Sequence, residues 1–200
     1  EGAGLVILAT PVAAMEAILP QVGPILQAGC VVTDVASTKA AVMRWARERL
    51  PAGIPFVGGH PMAGKEVAGI EAAESGLFKG CIYCLCAGQG APRAAVETVV
   101  SMVSLLGAKP YFVDPVEHDS YVAGISHLPM LLSTALVSAT AGSSAWREMS
   151  RLAATGYRDT TRLASSDPVM RRDIYITNRE SLAIWLDLFI RELGSLRESI

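Results

Sequence analysis

Gly4-Leu-Val-Ile-Leu-Ala-Thr10, then Pro11, then Cys30-Val-Val-Thr-Asp34 after a helical interval, is the stretch that decides the fold class. Both runs are short and continuously apolar, as in parallel strands covered on both faces. Pro11 suits the first turn of a helix, which Pro20 and Pro24 should break or re-aim before it ends near Gly29. A strand-helix-strand unit results. Working outward, Ser37 or Thr38 can cap a second helix with Ala40, Ala41, Val42, Trp45 and Leu50 in its body, stopped by Pro51 and Gly53. Pro55 to Gly58 is then a third strand. A short helix is expected around Val67 to Glu74, a fourth strand in Gly80-Cys-Ile-Tyr-Cys-Leu-Cys-Ala87, a helix over 91–106, and a last strand in Lys109-Pro-Tyr-Phe-Val113. Pro110 cannot donate to a ladder, which suits an edge.

Repeated alternation of this kind argues for an α/β fold with a doubly wound parallel sheet. After Asp114 the periodicity becomes almost wholly helical, with a long apolar helix through Leu128 to Thr140, a shorter one from Ala145 to Ala154, and an amphipathic C-terminal pair. The break therefore falls near residues 113 to 116, dividing the chain into 1–114 and 115–200.

Composition narrows the function classes. With 51% hydrophobic and 18% charged residues in 200, the chain can bury a large core, and a net charge of −2 gives no basic field for nucleic acid. The arginines bunch late, at Arg158, Arg162, Arg171 and Arg172, which suits a small anion better than a long polyanion. The apolar stretches 3–15 and 129–142 are interrupted by Pro, Ser, Thr and Gly and read as core, not as bilayer spans. Cys81, Cys84 and Cys86 lie in a strand-like run where alternate side chains diverge, so they read as packed, reduced thiols and not as a metal site. No metal is expected, and free thiols fit a cytoplasmic protein.

In open α/β sheets, ligands bind beyond the carboxyl ends of the strands. Three suggestive segments lie there: Ala9-Thr-Pro-Val12, Thr33-Asp-Val-Ala-Ser-Thr-Lys39 and Gly58-Gly-His-Pro61. Thr10, Ser37 and His60 could meet in one crevice. His60, among glycines that let backbone approach a ligand, is the leading catalytic candidate, with a loop histidine bonding only to nearby backbone as the alternative. For Thr10 and Ser37 the alternative is helix capping.

These segments, together with Gly58-Gly-His-Pro-Met-Ala-Gly64, Ser126-His-Leu-Pro129 and the block from Gly156 through Asp173, resemble the prephenate and arogenate dehydrogenase family of tyrosine biosynthesis. The resemblance implies a Rossmann domain that binds NAD or NADP, followed by an all-helical domain that forms a homodimer. It implies oxidative decarboxylation of prephenate or arogenate: hydride leaves the carbinol carbon, CO2 leaves the opposite carbon, and the ring becomes aromatic. His60 then accepts the hydrogen bond of the substrate hydroxyl in its neutral form, and Ser37 helps orient it. Arg162 holds a substrate carboxylate. Met130 and Gly156 fall on the substrate side, and His127 either lines that pocket or packs at a helix start. Thr10, Pro11, Asp34 and Ser37 fall on the cofactor side.

Two departures accompany the match. The family's first strand and Gly-x-Gly-x-x-Gly turn have no counterpart, so the chain reads as part of a longer enzyme, and the residue that selects NAD or NADP is not in it. Met130 stands where many prephenate-using relatives carry a histidine. Two rivals are a β-hydroxyacid dehydrogenase, which would need a lysine base, and a non-catalytic dimerisation fragment built on the apolar helix 128–140.

Overall fold

A computed structural model describes residues 2–65 and 69–200. Five strands form one sheet in the order β1 (Leu5–Leu8), β2 (Val31–Asp34), β3 (Phe56–Pro61), β4 (Ile82–Ala87), β5 (Lys109–Phe112). β1, β2 and β3 are parallel, and so are β4 and β5, but β4 runs antiparallel to β3. The α/β class is as expected from the alternating pattern, with the sheet mixed instead of wholly parallel. The reversal matters for the site, because it pairs His60 with Cys84 and Gly59 with Leu85 and carries β3 two residues beyond Gly59. His60 is thus held in the end of a strand, not in the loop beyond it.

Alternation along β2 divides two cores. Val32 faces a layer made by α1 (Val12–Val22) and α2 (Ala40–Arg49), with Met15, Leu19, Val42 and Trp45. Val31 faces the other side, where α3 (Arg93–Leu105) packs Ala95, Val99 and Val103 on Val57 and Leu85. α1 runs through Pro20 without ending, so the expected break there is absent; a further 3-10 turn over Gly23–Ile25 carries the chain away. The short helix expected at 67–74 lies partly outside the described residues, and what is described there is a 3-10 turn, Ile70–Ala72. Burial pushes the Cys81 and Cys84 thiols up, and that of Cys86 up to about 12, so all three stay protonated near neutral pH.

Asp114 ends the sheet half by capping α4 (Pro115–Val122), its Oδ1 accepting the amide protons of Val116 and Glu117 at 2.8 and 3.3 Å. A π-helical turn, Ala123–His127, joins α4 directly to α5 (Leu128–Ala141). There Gly124 lets the helix lie against Trp185: a Cβ at 124 would stand 2.7 Å from the indole. The run Pro115–Ala141 is long and apolar enough to cross a membrane. Its His118, Asp119 and His127 are nevertheless buried against protein partners. α6 (Trp146–Leu152), α7 (Thr155–Thr161), a 3-10 turn at Arg162–Ser165, α8 (Pro168–Thr177) and α9 (Arg179–Glu198) complete the chain.

The helical half grips the sheet half at two helix N-termini. Asp119 Oδ1 and Oδ2 accept from the amides of Lys39 (2.7 Å) and Ala40 (2.9 Å) at the start of α2. Asp173 Oδ2 accepts from Ala13 at the start of α1, 3.2 Å away. Each carboxylate satisfies amides that a helix leaves open and meets the positive end of its dipole. Neither Ser37 nor Thr38 caps α2, which has no side-chain cap of its own; Thr38 instead bonds Thr177 at 2.9 Å.

Candidate active site

Beneath the end of β3 lies a buried ion pair. Lys39 is fully buried, and its Nζ donates to Asp34 Oδ2 and, at 2.6 Å, to the Gly59 carbonyl. Asp34, equally buried, accepts from the Gly59 amide (2.9 Å) through Oδ1 and from the Ala36 amide (2.9 Å) through Oδ2. A buried pair offsets its desolvation only when its remaining donors and acceptors are satisfied, and this one is tied to backbone on three sides. The glycine pair makes this approach possible. A Cβ at Gly59 would lie 2.5 Å from the Asp34 carbonyl oxygen, and one at Gly58 would lie 2.8 Å from Met43 Sδ.

Asp34, on the cofactor side by resemblance, spends both side-chain oxygens inside the protein and supports the β2–β3 crossing from below.

Above this floor, His60 Nδ1 lies 2.9 Å from His118 Nε2, and His118 Nδ1 lies 2.8 Å from Asp119 Oδ1. The carboxylate fixes the proton pattern. Asp119 can only accept, so His118 Nδ1 carries a proton and its Nε2, in the neutral ring, accepts. His60 therefore donates from Nδ1 and presents a bare Nε2, which has no partner among the described residues. Burial, then the positive charge of Lys39, then His118 and His127, hold the His60 pKa well below 6.5. A neutral imidazole with a free lone pair is the form that can accept a hydroxyl proton.

Asn178 closes the far side, donating from Nδ2 to the Asp119 carbonyl (2.7 Å) and to His127 Nδ1 (3.1 Å). His127 is buried, and desolvation takes its pKa down to about 4. Of the two roles open to it, packing at the helix junction is the one its contacts describe.

The other expected residues fall as follows. Thr10 follows β1, with its Oγ1 buried and without a partner among the described residues. Pro11 is the N-cap residue of α1, whose first turn lies beside it. Ser37 is partly exposed in the turn between Asp34 and Lys39. Met130 is buried on α5, one turn beyond His127. Arg162 is exposed at the head of the 3-10 turn that packs on α5, and Gly156 is exposed in α7. Thus His60 joins a polar cluster, Thr10 and Ser37 stand at the strand ends, and Gly156 sits on α7, which packs on α5.

Lys39, His118, Asp119 and Asn178 were not singled out in the sequence. The available signal was a His-Asp pair at positions 118–119 inside a run that otherwise reads as a plain amphipathic helix.

Two family models cover the chain: "Prephenate dehydrogenase, nucleotide-binding domain" over residues 1–112 and "Prephenate dehydrogenase, dimerization domain" over residues 114–200. The prephenate dehydrogenase of Bacillus subtilis is 39% identical over 199 residues, covering 98% of this chain and 53% of that protein. The cyclohexadienyl dehydrogenase of Zymomonas mobilis is 30% identical, over 99% of this chain and 68% of that protein. Among solved structures, Aquifex aeolicus prephenate dehydrogenase in complex with hydroxyphenyl propionate and NAD+ aligns at TM-score 0.91 and 30% identity, covering 98% of this chain and 68% of that one. Synechocystis arogenate dehydrogenase aligns at TM-score 0.82 and 32% identity, covering 98% and 71%. The chain spans about half the length of the Bacillus relative. Matched along its whole length by both domain models, it belongs to the prephenate dehydrogenase family.

Proposed function

We propose that this chain supplies the catalytic histidine and the helical domain of an NAD- or NADP-dependent dehydrogenase that oxidatively decarboxylates prephenate or arogenate. The observation that carries the reading is the Asp119–His118–His60 chain, which leaves a neutral His60 with a bare Nε2 at the carboxyl end of a Rossmann-type strand. The substrate's ring hydroxyl donates to that lone pair. As the carbinol carbon gives up hydride, the hydroxyl proton passes to His60, the bond to the ring carboxyl group breaks, and CO2 departs with its electron pair left in the aromatic ring. The imidazolium formed is stabilised by Asp119 through His118. When bound, the nicotinamide group supplies the hydride acceptor. Residues 1–114 would hold it, and the buried, unpartnered Thr10 Oγ1 at the end of β1 fits a polar group of such a cofactor, with Pro11 and Ser37 beside the same crevice. Arg162 would take a substrate carboxylate.

A β-hydroxyacid dehydrogenase would need a reachable lysine. Lys39, the lysine beneath His60, is wholly buried and commits its ammonium group to Asp34 and Gly59. In the helical half, residues 115–200, α9 leaves Ile184, Leu188, Ile190, Leu193 and Leu196 exposed. Together with the dimerization-domain match, this supports a homodimer formed through that half.

The test is nicotinamide reduction by the chain and by its full-length gene product, each offered prephenate and arogenate with NAD and NADP. Turnover with one pair identifies substrate and cofactor. Folded full-length protein that turns over none of the four sinks the reading.

The acid limb of the rate follows from the same geometry. His60 must be neutral, and its pKa is held well below 6.5 by burial. Protonation therefore begins only at lower pH than for a free imidazole, and kcat/KM should stay level through pH 6.5 and fall only below it. A limb centred at pH 6.5 or above, with chemistry rate-limiting, contradicts it.

A further inference from the structure

The mechanism leaves one group of buried polar atoms unused. α5 and α8 meet at two levels: Asn178, just past α8, touches His127, and seven residues along each segment Arg171 touches Thr134. Seven helical residues span about 10 Å. At the second level Arg171 Nη1 donates to Thr134 Oγ1 at 2.8 Å, and the Thr134 hydroxyl gives its own proton to the Met130 carbonyl at 3.0 Å. Arg171 Nε is buried and has no partner. Tyr175, one turn along α8 from Arg171, lies beside Thr134 with its buried Oη lacking a hydrogen bond of good geometry. Ser133, next to Thr134 and 2% exposed, also has an Oγ without a partner. A helical serine commonly returns its proton to the carbonyl four residues back, as Thr134 does, but Ser133 does not.

Of the buried side-chain atoms left unpartnered among the described residues, three therefore belong to this one stretch of α5 and α8. Each such atom carries an uncompensated desolvation cost unless something meets it. No carboxylate among the described residues pairs with Arg171. A guanidinium with an unspent Nε–H, and a tyrosine hydroxyl one helical turn along, are donors that suit a carboxylate.

We propose that Arg171 and Tyr175, on the face of α8 that meets Thr134 of α5, form a carboxylate pocket that receives an acidic arm of the substrate acted on at His60. The proposal rests on the dehydrogenase reading, whose substrates carry two carboxylates. Arg162 takes one and Arg171 the other, with Met130 lining the path between His127 and the pocket.

The test uses the full-length enzyme as wild type, Arg171→Met, Arg171→Lys and Tyr175→Phe. The readouts are steady-state kinetics and competitive inhibition by two probes with the same phenol ring, 3-(4-hydroxyphenyl)propionate and the carboxylate-free 4-ethylphenol. Arg171→Met should raise KM by about 10- to 100-fold with kcat nearly unchanged, and weaken the propionate by a similar factor while sparing 4-ethylphenol. Arg171→Lys should recover part of the loss, and Tyr175→Phe should repeat it on a smaller scale should the methionine variant fold poorly. Equal weakening of both probes, or an unchanged KM, overturns the pocket. Loss confined to non-competitive effects of added carboxylic acids reassigns it to a separate ligand and overturns the substrate assignment. Wild-type enzyme inactive on every substrate sinks the dehydrogenase reading itself, whereas active wild type with an indifferent Arg171→Met sinks only this inference.

Discussion

Replacing His60 with asparagine should lower kcat by about 10³-fold or more while thermal melting and nicotinamide binding stay close to wild type. General-base contributions usually amount to about 10²–10⁴-fold, and among the described residues no second group beside His60 stands ready to take the proton. Lys39 is buried and committed, and His118 can reach the substrate hydroxyl only through His60. The folding cost should be small, because His60 is partly exposed and its side chain bonds one neighbour, the His118 ring at a centroid distance of 5.1 Å. Asparagine keeps a polar group at the strand end without a basic nitrogen. Residual activity within tenfold of wild type, with chemistry limiting, would remove His60 from the reaction.

Asp119→Asn is the more discriminating change. Asp119 Oδ1 takes protons from Lys39 N and His118 Nδ1, and Oδ2 takes one from Ala40 N. An amide in its place has one oxygen. If that oxygen stays at Oδ1, the new NH2 confronts the Ala40 amide. If it turns to Oδ2, the NH2 faces the Lys39 amide and drives His118 to accept at Nδ1. His118 would then donate from Nε2, His60 would accept at Nδ1, and its outward Nε2 would carry a proton. The base would be present in the wrong tautomer, an effect worth about 10⁴-fold in kcat when the aspartate of a Ser-His-Asp triad is changed in the same way. Stability should fall by about 1–3 kcal/mol as well, because a buried donor loses its acceptor. The two effects separate by measurement, since lost tautomer control lowers kcat at every pH while mere loosening of α2 lowers the melting temperature alone. Unchanged kcat in a folded variant would show that the amide oxygen stays toward His118 and that the charge of Asp119 adds nothing to the rate.

Much of the α/β half was legible because its strands are apolar runs punctuated by Pro51, Gly53 and Gly80. The direction of β4 was not, since composition marks a strand but not which way it runs. The α2 cap was missed for a related reason: Ser37 and Thr38 offered local caps, whereas the cap in use comes from Asp119, eighty residues later. Pro20 marks a helix break by rule, yet α1 passes through it, its inner face held by Met15 and Leu19 in the core. His60 was visible through its glycines. Asp34 and Lys39 were harder, because nothing in Thr33-Asp-Val-Ala-Ser-Thr-Lys39 says that both charges turn inward beneath Gly59.

The π-helical turn at Ala123–His127 makes chain length itself part of the site. Eight residues of regular helix between Asp119 and His127 would set them about 80° apart around the axis. One extra residue in a wide turn takes back about 100°, bringing the two within about 20°. Asn178 can then touch both. The helix thus carries two phases, one addressed to β3 and one to α8, and a one-residue deletion between them would point two correct sets of side chains in incompatible directions.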